Sequence, residues 1–188
     1  LRPHFRLKDE SMGRSRYTIT EIDKPHFLTC TIVEWLPLFT RPALVDIVLN
    51  TWRYQQANQG LQLYGYVVLE NHLHYLAQSQ DLAKSVAGFK SYTARNIIDY
   101  LQLAHAESTL QRLRFAKRAH KVDRVYQVWQ EGVHAEIVYS ESVMQQKLDY
   151  LHQNPVKRGY VDFGEQWRYS SARDYLGESG LIEVQRWC

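Results

Sequence analysis

Hydrophobic periodicity along this chain switches between two and about 3.6 in a fixed order, and that order restricts the fold more than any other feature. HFLTCTIVEW, from His26 to Trp35, is rich in β-branched and aromatic residues and predicts a strand. RPALVDIVLNTWRYQQANQG follows, with Leu44, Ile47, Val48, Thr51 and Trp52 at helical spacing and a stop at Asn58 to Gly60. LQLYGYVVLE and HLHYLAQS predict two strands joined by a tight turn near Glu70 and Asn71. DLAKSVAGFKSYTARNIIDYLQLA is a long amphipathic helix, with Val86, Phe89, Ile97, Ile98 and Leu101 on its core side. Past a basic stretch, VYQVWQEGVHAEIVYS predicts a strand pair bent around Gly132. ESVMQQKLDYLHQN predicts a helix with Ser140 as its N-cap and Pro155 marking its end. SSARDYLGESG predicts a short helix closed by Gly177. The order β-α-β-β-α, then β-β-α, is that of an α+β fold of ferredoxin-like type. Its antiparallel sheet would carry helices packed on one face and leave the other open, at least in part, for a ligand. The expectation is one domain over residues 1–188, with a core over 17–155 and a C-terminal extension over 156–188.

Composition narrows the function classes. The hydrophobic fraction is 45% and the charged fraction 23%, which suits a globular core and excludes a disordered or fibrous chain. No apolar run approaches the ~20 residues of a membrane helix, and the N-terminal stretch lacks a signal-peptide core. Cys30 and Cys188 form no framework, so a reducing, cytoplasmic setting is expected. The net charge of +3 is unevenly spread. Arg112, Arg114, Lys117, Arg118, Lys121 and Arg124 stand against a single acid, Asp123, and the N-terminal stretch adds Arg14 and Arg16. These segments suit an anionic partner, or else solvated surfaces.

Two further patterns carry chemistry. His72 and His74 lie two apart on a strand and so point to one face, while Leu73 points to the other. Two neutral imidazoles on one face can offer adjacent positions to a divalent metal, and can also be ordinary half-exposed side chains. In the helix after Ser140, Met144, Leu148 and Leu151 form the apolar stripe, which should face the sheet. Tyr150 and Asn154 sit one turn apart on the neighbouring face. A phenol can act as a nucleophile and an amide oxygen as a hard ligand. Singly, each also reads as a common helix residue.

Together, NHLHYL, KLDYLHQNPVKRGYV and WRYSSARDY resemble the single-tyrosine HUH transposases, and more narrowly the REP-associated tyrosine transposases, over roughly Tyr17 to Tyr175. The resemblance implies a ferredoxin-like core and a metal-dependent, single-strand-specific DNA endonuclease and strand-transferase. It implies Tyr150 as the nucleophile that forms a 5′-phosphotyrosine, and His72, His74 and Asn154 as ligands of Mg²⁺ or Mn²⁺. The substrate it implies is single-stranded DNA, often a hairpin. Arg14, Arg16, Arg112, Arg114, Lys117, Arg118 and Lys121 are then candidate backbone contacts, with Lys157 and Arg158 beside the scissile strand. The resemblance also extends to simpler relatives that work as dimers with the tyrosine helix exchanged, whereas a long C-terminal segment after Asn154, able to hold that helix within one chain, favours a monomer here.

Other readings compete. One is a DNA-binding protein of the same fold that has lost catalysis, and the intact set of four site residues argues against it. A two-histidine phosphoesterase needs two separated His-x-Ser/Thr motifs, and a histidine-triad hydrolase needs a longer alternating His run. Neither is present. Tyr92, with Lys90 and Arg95 nearby and Asn96 four positions on, is an alternative nucleophile, but the residues that follow it do not match the YLHQNPV helix that carries the resemblance.

Overall fold

The structure, a computed structural model, describes Ile19 and residues 24–117 and 124–187. Its elements are β1 (His26–Thr31), α1 (Pro42–Gln59), β2 (Gln62–Val68), β3 (His72–Gln78), α2 (Leu82–Leu103), α3 (Glu107–Phe115), β4 (His134–Ile137), α4 (Glu141–Lys157) and α5 (Ala172–Tyr175). The four strands form one antiparallel sheet in the order β2-β3-β1-β4. The expected α+β, ferredoxin-like architecture is therefore the one observed.

Strand alternation sorts the sheet residues between two cores. Leu28, Cys30, Leu73, Tyr75 and Ala77 point to the face covered by α1 and α2, where they pack with Val48, Trp52, Phe89 and Ile97. Trp52 stacks on Phe89 with ring centroids 5.4 Å apart. The opposite face carries a smaller cluster of Phe27, Tyr64, Val67 and Leu76 under Met144, Leu148 and Leu151 of α4. The apolar stripe of α4 thus meets the sheet as its spacing requires, and α4 covers part of the face that α1 and α2 leave free.

Several local details differ from the sequence reading. The first strand ends at Thr31, and Val33–Trp35 turns as a short 3-10 segment. Glu34 and Trp35 take φ of 52° and 53°, left-handed backbone that an extended strand cannot contain. Of the strand pair around Gly132, only β4 forms a ladder, while Trp129 makes an isolated bridge to Ile32. The start of the basic stretch is helical, because Leu110 and Leu113 bury one side of α3. Pro155 does not end α4: proline removes only its own N–H, and Arg158 N still donates to Asn154 O at 3.2 Å. Ser140 caps α4 as expected, accepting from Val143 N.

The segment after α4 returns to the sheet. Val68 N donates to Tyr169 O and Gln185 N to Leu63 O, both at 2.8 Å. The hydroxyl of Tyr175 donates to Tyr64 O at 2.8 Å. These bonds cover β2, an edge strand whose free backbone groups would otherwise be open to another chain.

Candidate active site

The β2–β3 turn sets the site. Leu69 N donates to His72 O at 2.9 Å, leaving Glu70 and Asn71 as the turn residues. The turn is pinned on its outer side, where Ile32 N and Phe39 N donate to Asn71 O and Glu70 O. His72 and His74 follow at once on β3, both buried on the α4 face. Their rings stand edge to face, 4.9 Å between centroids.

Each imidazole is held through Nδ1. Asn71 Oδ1 accepts from His72 Nδ1 at 2.6 Å, and the Asn71 amide group donates to Trp35 O, which fixes its orientation. Thr29 Oγ1 lies 2.7 Å from His74 Nδ1. Thr29 is the direct β1 partner of His74, so the contact follows from strand register. The Asn71 oxygen can only accept, so the His72 proton sits on Nδ1 and its Nε2 presents a lone pair. Burial, with Arg158 as the next cause, lowers the His72 pKa to about 4. Burial and the neighbouring His72 lower that of His74 to about 3. Both rings are neutral at pH 7, the form that ligates metals.

α4 supplies the rest, and it lies against the sheet of its own chain. Tyr150 meets Phe27 and His74 edge to face at 5.7 and 5.4 Å, and is 42% exposed. Asn154, one turn on, is buried. Lys147 sits one turn before Tyr150, with Nζ 4.7 Å from the Phe27 ring centroid, and is paired with Glu136 at 2.5 Å. Lys157 Nζ lies 5.9 Å from the Tyr150 ring centroid. Cations therefore flank the exposed phenol along one face of the helix.

Among the described residues no three His, Cys, Asp or Glu side chains group to hold a metal ion. A mixed set of two imidazoles and one amide fits a divalent cation on other grounds. His74 Nε2 is buried without a hydrogen-bond partner. Such an atom is costly to leave unpaired, and both imidazoles have the Nδ1 support typical of ligating histidines.

His72, His74, Tyr150 and Asn154 thus come together, with Lys157 and Arg158 beside them. Arg112, Arg114 and Lys117 lie on or just after α3. Arg112 pairs at 3.9 Å with Glu34, and Arg114 stands over Tyr126. Arg14, Arg16, Arg118 and Lys121 fall outside the described residues. Tyr92 is exposed on α2, with the sheet between it and the histidines. Glu70 and Asn71 are expected from sequence only as turn residues, and Thr29 is not among the expected site residues. The two turn residues adjoin the His-Leu-His triplet, and the alternation of Phe27, Thr29 and Thr31 against Leu28 and Cys30 would have placed Thr29 on the histidine face.

No family model matches the chain. A Haemophilus influenzae protein named as a REP-associated tyrosine transposase is 27% identical over 104 residues, which is 55% of this chain and 54% of that protein. The chain thus matches about half the length of that relative. In fold it is similar to a solved REP-associated tyrosine transposase bound to a REP hairpin, with a TM-score of 0.59 at 16% identity, covering 94% of this chain and 95% of that one. In sequence, then, the chain is similar over about half its length to a protein named as a REP-associated tyrosine transposase, and it shares its fold with a solved one.

Proposed function

We propose that the protein is a divalent-metal-dependent endonuclease and strand-transferase for single-stranded, hairpin-forming DNA, with Tyr150 as its nucleophile. The observation that carries this reading is the position of Tyr150: a half-exposed phenol packed edge-on to one of two neutral, buried imidazoles whose Nε2 atoms lack strong partners. His72, His74 and Asn154 would hold Mg²⁺ or Mn²⁺. When bound, the ion would offset the charge of a phosphodiester and orient its phosphorus.

The chain's own groups do the rest. Phe27 and His74 hold the Tyr150 ring, which stays 42% exposed and so within reach of DNA. Attack by the phenolic oxygen forms a bond to phosphorus and breaks the bond to the 3′ oxygen. The phenolic proton leaves to solvent, and the departing 3′ oxygen takes one up. The products are a 5′-phosphotyrosine and a free 3′-OH. No bond energy is lost, so a second 3′-OH can reverse the step. Lys157 and the α3 cations Arg112, Arg114 and Lys117 would contact the backbone. Trp35, 56% exposed and edge-on to His72, offers a stacking surface for an unpaired base. Because α4 packs on its own sheet, the reading includes a self-sufficient monomer.

The test is covalent trapping. Hairpin oligonucleotides labelled at the 3′ end are incubated with protein in Mn²⁺ or EDTA and resolved on denaturing gels. A metal-dependent adduct that disappears in Tyr150→Phe supports the reading. Adduct in Tyr150→Phe, or equal cleavage in EDTA, overturns it. DNA binding without any adduct would favour a non-catalytic binding protein of this fold.

A further inference from the structure

A cation already sits among the groups assigned to the metal. Arg158 closes α4, and its guanidinium reaches three acceptors from different parts of the chain. Nε donates to Asn154 Oδ1 at 3.1 Å. Nη1 donates to Glu70 Oε1 at 2.9 Å. Nη2 lies 3.4 Å from His72 Nε2. Two of these acceptors are proposed metal ligands, and the third is the carboxylate of the pinned β2–β3 turn. Glu70 is no free surface charge: its side chain is 23% exposed, and its second oxygen, Oε2, is buried without a partner. His74 Nε2 is unpartnered as well. A planar guanidinium, donor-only and fixed in shape, therefore leaves part of a convergent acceptor set unsatisfied.

We propose that Glu70 is a further ligand of the divalent ion, and that Arg158 is the stand-in cation that holds the ligand atoms until the ion displaces it. The inference rests on the metal reading above. Two cations compete for one small set of acceptors, because their repulsion is only weakly screened among largely buried groups. Two imidazoles and an amide are all neutral, whereas the hard ions Mg²⁺ and Mn²⁺ are held best with carboxylate oxygen. Glu70 supplies that charge from a backbone held by Phe39 N. Its place two residues before His72 makes it part of the same pinned turn.

The test measures Mn²⁺ binding to the full chain without DNA, by the electron paramagnetic resonance signal of free Mn²⁺. The proteins are wild type, Arg158→Gln, Arg158→Gln/Glu70→Gln and His74→Ala, each checked for folding by circular dichroism. Arg158→Gln should tighten Mn²⁺ binding about tenfold or more, and adding Glu70→Gln should then weaken it by about 10–100-fold. An unchanged affinity on adding Glu70→Gln would show that Glu70 serves only as the Arg158 partner and overturn its assignment. Unchanged or weaker binding in Arg158→Gln would overturn the displacement. If His74→Ala binds Mn²⁺ as wild type does, or if wild type and Arg158→Gln both bind none, the metal centre itself fails and the inference with it.

Discussion

Gly65 controls how closely the tyrosine helix approaches the sheet. It sits on β2 at a register irregularity between Leu63 and Gly65, directly under α4. A Cβ added there would lie 2.8 Å from Leu148 Cδ2, 3.2 Å from Leu151 Cδ1 and 3.3 Å from Ser171 Oγ. Carbon atoms settle at about 3.5–4.0 Å, so α4 or its leucines must retreat by several tenths of an ångström to about 1 Å. Both leucines are buried, so little room exists for a rotamer change alone. Overpacking of this kind costs about 1–3 kcal/mol, offset by up to ~1 kcal/mol from the reduced freedom of the unfolded chain. Gly65→Ala should therefore lower stability to urea by about 1–2 kcal/mol, or a few degrees in Tm. The functional loss should be larger, because Tyr150 and Asn154 ride on the displaced helix while His72 and His74 stay on the sheet. Misplacement on this scale can cost ~100-fold, so adduct formation should fall by about 10–100-fold. The assays are urea unfolding and single-turnover trapping of 3′-labelled hairpin DNA. Leu148→Val removes the obstructing atom, so the cost of Gly65→Ala should shrink by about 1 kcal/mol in that background. Wild-type stability and wild-type trapping rate in Gly65→Ala would refute the argument, as would full additivity with Leu148→Val.

Other outcomes are expected from the same geometry. Thr29→Val should leave the fold intact but weaken Mn²⁺ binding by about 10–100-fold, since His74 Nδ1 loses its partner; a binding titration that matches wild type would rule this out. His152 is half-buried beside Ser171 and Tyr175, and its loss of solvent lowers its pKa from 6.5 to about 4. The unfolded chain therefore binds the extra proton first, so this stability is present above pH ~6.5 and is lost as pH falls toward ~4, by up to about 3 kcal/mol. Urea unfolding across that range should show a shallower loss in His152→Gln than in wild type, and parallel curves would exclude the assignment. Arg112→Ala/Arg114→Ala should weaken binding of all single-stranded sequences alike and reduce the salt dependence by about 0.7 per lost phosphate contact. A sequence-selective loss would point to base reading instead.

Much of the fold was legible because period-two and helical patterns are local. The apolar residues of α1, α2 and α4 read directly as core faces, and the β-α-β-β-α order led to the sheet that forms. The site was legible to the extent that its members share an element. His72 and His74 are bound to one face by strand alternation, and Tyr150 and Asn154 to one turn by helical spacing. Boundaries were less so. The left-handed Glu34 and Trp35 break a strand that composition alone would extend, and Pro155 is carried inside α4 because the bonds around it survive its missing N–H.

What tertiary structure alone decided is the meeting of these pieces. That α4 crosses the histidine face depends on the close approach at Gly65 and on the C-terminal segment bonded along β2, contacts between residues far apart in sequence. The pairing of Thr29 with His74 depends on strand register, which neither strand specifies by itself. The convergence of Glu70, His72 and Asn154 on Arg158 depends on a turn, a strand and a helix end being brought to one point. Periodicity acts along the chain and can be read from it. Distances across the chain are set by packing, and only the folded molecule contains them.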